Sequence, residues 1–307
     1  MPREAGYLNV YKPKDYTSFD CVAILRRVLG IRKIGHTGTL DPMAEGVLVL
    51  CVGSATRTIE YLERDTKEYA GSLRLGVTSD TDDIWGTVLS ETKDVSVTRE
   101  ELEAALDRYR GDIDQVPPAY AAVKVDGKKL YQYAREGKEV TVAPRRVTIH
   151  EAEITAFDGQ NADFRIVCSK GTYIRSICRD IGRDLGTGGV MTALTRTRNG
   201  IFRAEDGVSI EDFKTMERDE ALAHLLPIDR GLQGFRALCG TEEEGLALMQ
   251  GKRVSAEPHR GELEMDLHNE LFRYYINDPE DPASFVGVVR WDRQEDCLKA
   301  DKILRQL

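Results

Sequence analysis

Strand-like and helix-like runs follow one another from Gly6 to Leu185 without the regular alternation that a parallel βαβ sheet demands. "GYLNVYKP" alternates as a strand and stops at Pro13. Ser18 reads as the N-cap of "FDCVAILRRVLG", which Gly30 ends. "GVLVLCVG" reads as a buried strand, and "SATRTIEYLERD" as a helix capped by Ser54. "KEYAGSLRLGV" is a longer strand leading into the polar loop "TSDTDDIWG", and "TREELEAALDRY" opens on a capping box from Thr98 to Glu101. After Pro117 and Pro118 come a strand and short helix in "AYAAVKVDGKKLYQYAREG", then the strands "RRVTIHEAEITAF" and "ADFRIVCSK". Ile174, Ile177, Cys178, Ile181 and Leu185 make a helical stripe. The expectation is an α+β fold: a large mixed, mostly antiparallel sheet with flanking helices.

Near residue 230 the pattern changes. "GFRALCG", "LEMDLHN", "LFRYYIND" and "FVGVVRWD" read as short, closely spaced strands around one helix, "TEEEGLALMQG". A small β-rich module is expected there, dividing the chain into domains over 1–230 and 231–307.

Composition narrows the function. Six cysteines without a CxxC pair argue against a zinc site or disulfide framework and for a reducing cytoplasm, with Cys51 and Cys168 as small core residues. The start has no apolar h-region, so neither a signal peptide nor a membrane anchor is expected. There is no GxxxxGK[ST] loop, "GTGGVM" lacks the last glycine of a dinucleotide fingerprint, and the five histidines form no HExxH. The acids of "TSDTDD" read as solvated turn residues. The net charge of −9 hides a basic middle, since Tyr120 to Arg203 carries 15 Lys/Arg against 9 Asp/Glu. Such a stretch fits a local polyanion site or an unevenly charged surface.

"GHTGTLDP" raises the sharpest question. Pro42 biases Asp41 toward an extended conformation, and Gly35 and Gly38 permit close backbone approach. Such a loop can present one carboxylate as a nucleophile toward a sugar, or it can be a structural Asp-Pro turn. The octapeptide alone leaves both open. "CSKGTYIRSICRDIG" sets Tyr173 and Arg175 at a strand-to-helix junction, where an arginine facing a lone aspartate would favour its ionised form.

Taken together, "YKPKDYTSFD", "KIGHTGTLDPMAEGVLVLCVGSATR", "KEYAGSLRLGVTSDTDDIWG", "PPAYAAVKVDGKKLYQYAREG" and "CSKGTYIRSICRDIGRDLG" resemble, in order and spacing, the TruB family of bacterial tRNA pseudouridine-55 synthases. The resemblance covers about residues 6 to 230 and implies the pseudouridine synthase fold. The tail is similar, more weakly, to a PUA-type RNA-binding module. The implied reaction turns one T-loop uridine into pseudouridine without a metal or nucleotide cofactor. The implied partner is tRNA through its T-arm, with no membrane or protein partner and a monomer expected. By resemblance, Asp41 is the catalytic aspartate, Tyr69 stacks on the target base and can take a proton, and Arg175 pairs with the aspartate. Tyr173 lines the pocket, Leu194 packs on the flipped ring, and His36 enters the T-loop. Asp83 helps position the substrate, and Lys12 and Lys124 are expected to bind it.

Three positions depart from the family pattern. Asp15 stands where glycine is usual, Glu45 where a small or hydroxyl residue is usual, and Thr195 where arginine is common. Each makes the region near the RNA more negative, so affinity is expected to feel them more than chemistry. Two rivals remain: a non-catalytic tRNA-binding or folding protein on the same fold, and a small-molecule hydrolase with an aspartate nucleophile.

Overall fold

The computed structural model describes residues 4–62, 64, 66–138, 140–265 and 270–305. In chain order β1 (Gly6–Lys12) leads into α1 (Ser18–Leu29), β2 (Ile34–His36), β3 (Glu45–Val52) and α2 (Ile59–Leu62). Next are β4 (Lys67–Leu75), the hairpin β5 (Val77–Ser79) and β6 (Val88–Glu91), α3 (Arg99–Asp107) and β7 (Gly111–Gln115). A small excursion holds β8 (Lys124–Val125), β9 (Lys128–Lys129) and α4 (Leu130–Arg135). Then come β10 (Arg145–Phe157), β11 (Asn161–Cys168), α5 (Ile174–Asp184), β12 (Gly189–Asn199), β13 (Phe202–Arg203), β14 (Val208–Ser209), α6 (Ile210–Thr215) and α7 (Arg218–Ala223).

The large sheet runs β14-β1-β3-β12-β4-β11-β10-β7, with β2 on β3 and β13 on β12. Only β1–β14 and β3–β12 pair in parallel, so the sheet is mixed and mostly antiparallel, as expected. The alternation of each strand sends one set of side chains against α1, α3, α5 and α6, where Leu25, Leu48, Leu50, Leu102, Ile177 and Phe213 share one core. Cys51 and Cys168 are buried in their strands, as the sequence suggested.

A second sheet, β15 (Ala237–Gly240), β17 (Leu271–Ile276), β18 (Phe285–Asp292), β19 (Cys297–Ile303) and β16 (Val254–Ser255) in that order, forms with α8 (Glu242–Met249) and α9 (Arg260–Glu264) at the C-terminal end. It packs on the other side of the first strands: Tyr7, Val47 and Val49 meet Leu271, Tyr275, Phe285 and Val288 in one apolar cluster.

The local sequence signals are met unevenly in the fold. The capping box at Thr98 is present, with Glu101 accepting from the Thr98 N–H at 2.8 Å. Gly30 ends α1 in the left-handed conformation its missing Cβ permits. The cap of α1 is Thr17 rather than Ser18, because Asp20 closes a capping box on Thr17 while Ser18 turns to the Asp41 loop. Ser54 caps no helix: Gly53–Thr58 is a 3₁₀ turn without a side-chain cap, followed by α2. Leu263 and Glu264 of "LEMDLHN" are helical instead of extended, and 266–269 lie outside the described residues. The strands β12 and β19 were not anticipated.

Candidate active site

The loop 37–44 leaves the β2 edge and is pinned from several sides. The Thr37 N–H donates to Val49 O at 3.1 Å, and Asn199 Nδ2 donates to the Thr37 hydroxyl at 2.9 Å. Ser18 Oγ takes the Leu40 N–H at 2.9 Å and returns its own proton to Leu40 O at 3.2 Å. Lys12 is fully buried and gives its ammonium to Pro13 O, Tyr16 O and Pro42 O at 2.9, 2.7 and 3.1 Å. Burial lowers its pKa to about 8. Its donors are therefore spent beneath the loop, a different place from the substrate contact expected for it. The Asp15 N–H also donates to Pro42 O, at 3.0 Å.

This scaffold holds Asp41, 39% exposed, at a cavity of about 510 Å³. Arg175, only 5% exposed, approaches from the first turn of α5. Its Nε lies 2.9 Å from Asp41 Oδ2, but that N–H is not aimed at the oxygen and has no hydrogen-bond partner. The directed bond runs from Nη2 to Oδ1 at 3.2 Å. The guanidinium is fixed by Thr81 O at 3.0 Å and Tyr120 O at 3.2 Å, with Asp83 Oδ2 at 3.8 Å behind it. Asp83 does not line the cavity; it accepts from the Thr81 hydroxyl and the Trp85 N–H at 2.7 and 3.1 Å. Asp82 pairs with Arg179 at 2.9 Å. These two acids of "TSDTDD" are thus mostly buried ion-pair partners, not solvated turn acids.

Tyr69 on β4 and Leu194 on β12 line the same cavity, both nearly buried. Burial raises the Tyr69 pKa, and the nearby Arg196 opposes that rise. Tyr173 lines the cavity beside Arg175, fixed by paired backbone bonds with Gln115 at 2.8 and 3.0 Å, and burial raises its pKa too. His36 sits just before the loop, outside the cavity lining. Its Nδ1 is buried without a partner, and burial, then Arg196, lowers its pKa, favouring the neutral ring. Lys124 is exposed on β8, also outside the lining.

Sequence reasoning passed over Arg196, which is 1% exposed in the cavity lining, as well as Lys67, Tyr120, Arg145 and Lys170 there. A signal for Arg196 existed. It lies two residues after Leu194 in an extended run, hence on the same face. Among the described residues no group of three or more His, Cys, Asp or Glu is placed to hold a metal ion, and no helix is long and apolar enough to cross a membrane.

The departures also find places. Asp15 has φ of +67°, a left-handed conformation that glycine adopts freely and aspartate tolerates. Thr195 donates to Glu45 Oε1 at 3.3 Å across the β3–β12 pair, so the two unusual residues meet each other.

A chain of a Cbf5-Nop10-Gar1 complex superposes with a TM-score of 0.72 over 98% of this chain and 85% of that one, at 22% identity. The fold is therefore that of the Cbf5-type pseudouridine synthases. The model described as TruB family pseudouridylate synthase (N terminal domain) matches residues 26–174, and that of the tRNA pseudouridylate synthase B C-terminal domain matches residues 175–233. The tRNA pseudouridine synthase B of Clostridium perfringens (strain ATCC 13124) is 42% identical over 97% of this chain and 98% of its own length. That of Geobacillus kaustophilus (strain HTA426) is 48% identical over 74% and 82%. The chain belongs to the TruB family of pseudouridylate synthases.

Proposed function

We propose that this chain isomerises uridine 55 in the tRNA T-loop to pseudouridine, with Asp41 as the catalytic aspartate. One observation carries the reading. Among the described residues, Asp41 is the sole acid lining a cavity that also presents Lys67, Arg145, Arg146, Lys170, Arg175 and Arg196. A single carboxylate in so cationic a surround suits a polyanionic substrate whose sugar carbon is to be attacked or deprotonated, and disfavours a hydrolase of neutral small molecules.

The cavity volume suits one extruded nucleoside. Extrusion costs roughly a few kcal/mol, part of which stacking returns, at about 1–3 kcal/mol per base. Strand alternation puts Tyr69, Leu194 and Arg196 on one face of the sheet. Tyr69 and Leu194 supply the surfaces for the ring, and Arg175 holds the Asp41 carboxylate toward the sugar. Phosphates flanking the target fall to Arg145 and Lys170, exposed cations of the same lining. His36, neutral and next to the loop, is the group that enters the T-loop. Lys124 contacts RNA farther from the cavity. The same proposal includes a monomer acting in the cytoplasm and a division into domains over 1–230 and 231–307. The separate five-stranded sheet of the second part supports reading it as PUA-like.

The test is incubation with an unmodified tRNA transcript and mapping of pseudouridine. Wild-type protein should convert position 55, while Asp41→Asn should bind the tRNA and give no detectable product. Substantial product from Asp41→Asn would end the catalytic role, and binding without product from the wild type would favour the RNA-binding rival.

A further inference from the structure

Arg196 is among the most deeply buried charges in the protein, and among the described residues it has no acidic side chain within ion-pair distance. A charge so enclosed ordinarily has a carboxylate partner. Arg196 has carbonyls instead: its Nε–H donates to Val47 O at 2.7 Å, and its Nη2 donates to Gly38 O at 3.1 Å. A guanidinium carries five N–H groups, so donors remain. The side chain lines the Asp41 cavity next to Tyr69, its register partner on β4, with which it also shares a side-chain hydrogen bond. A fixed, fully buried cation with donors to spare stabilises negative charge that develops beside it during reaction.

The isomerisation supplies such a charge. Heterolysis of the C1′–N1 bond leaves the electron pair on the ring, as a uracil anion spread over N1 and the ring oxygens. Asp41 faces the electron-deficient sugar. After the ring turns, C5 bonds to C1′, the C5 proton leaves to a base, and N1 takes up a proton, so nothing is oxidised or reduced. The geometry points to Arg196 as the group that holds the negative charge of the detached uracil. This rests on the pseudouridine reading above and adds a catalytic residue to it.

The experiment compares Arg196→Lys and Arg196→Gln on tRNA carrying either uridine or 5-fluorouridine at the target position. It follows loss of the N-glycoside in a single turnover, alongside tRNA affinity. Arg196→Gln should lose on the order of 100–1,000-fold in rate. Arg196→Lys should retain a clearly larger share, and both should bind tRNA as the wild type does. The glutamine deficit should shrink on 5-fluorouridine, because fluorine itself stabilises the ring anion. Equal losses in both variants, independent of the ring substituent, would overturn the proposal in favour of packing. A loss confined to affinity, with a flatter salt dependence, would overturn it in favour of a phosphate contact. A wild type that binds tRNA and forms no pseudouridine would instead remove the reading on which the proposal stands.

Discussion

The cations of the C-terminal part and several of those around the cavity are used in different ways. In the C-terminal part Arg290 meets Glu270 and Asp301 at 2.8 and 3.0 Å, Lys299 meets Asp292 at 2.5 Å, and Arg253 and Arg260 pair with Glu295 and Asp296. Around the cavity of the large sheet, Arg145, Lys170 and Arg196 have no acidic partner among the described residues. Where cations are paired within the fold, charge serves local geometry and contributes little to stability at such exposed positions. Where they are left over, charge is available to a ligand. Local pairing therefore separates the two roles better than net charge does.

The largest effect should come from Arg175, whose guanidinium is shared by Asp41, Thr81 O and Tyr120 O. Arg175→Met leaves Asp41, Thr81 O and Tyr120 O without their donor. Turnover should fall at least 100-fold, by analogy with loss of a transition-state donor. Stability should fall by about 2 kcal/mol, as for a hydrogen bond to a charged group. Single-turnover assays and denaturant titration read the two losses. Retained turnover would show that Asp41 needs no partner.

A smaller effect tests the contrast directly. Arg145→Ala and Lys170→Ala should each reduce the slope of log affinity against log salt by about 1, as for one phosphate contact. Arg253→Ala and Arg260→Ala, in the internally paired set, should leave it unchanged. Equal changes in all four variants would show that pairing within the fold does not withdraw a cation from RNA.

The smallest effect concerns the buried Lys12. Its pKa of about 8 in the folded chain lies below the ordinary 10.5, so between those values the unfolded chain holds the proton more tightly. The Lys12 contribution to stability should thus rise as pH climbs through that window. Denaturant midpoints measured across it should rise more steeply in the wild type than in Lys12→Met. Parallel curves would mean that Lys12 ionises as it would in water.

Asp41 stood out only in company: its octapeptide left a structural Asp-Pro turn open, and the resemblance carried by the surrounding segments is what pointed to it. The paired strands β10 and β11 and the stripe of α5 were legible from their periodicity. β12 was not, because "TALTRTRN" places arginine and threonine where a central strand usually shows apolar residues. Those polar side chains have a cavity, carbonyls or the carboxylates of Glu45 and Glu68 to face, which only the folded sheet reveals. The burial of Lys12 was not legible for the same reason, since nothing in "YKPKDY" shows the three carbonyls that gather around its ammonium. Asp15 was read as a charge, whereas its φ of +67° gives it a backbone meaning.

The position of β12 also sets a time order. The strand comes after β3 and β4 in the chain, yet it lies between them and joins β1–β3 to β4–β11–β10–β7. The fit is close: a Cβ on Gly46 would stand 2.3 Å from Arg196 O, so the seam closes only with glycine there. During synthesis, a nascent chain that has not yet released residue 199 from the ribosome holds two part-sheets with unpaired edges facing an empty slot. Such edges invite strands from other chains. Asp41 emerges more than a hundred residues before Arg175 and Arg196, so the growing polypeptide passes through a long interval in which Asp41 has neither its ion-pair partner nor the β12 wall of its cavity. The strand that completes the cavity is also the one that fills the open edges of the sheet.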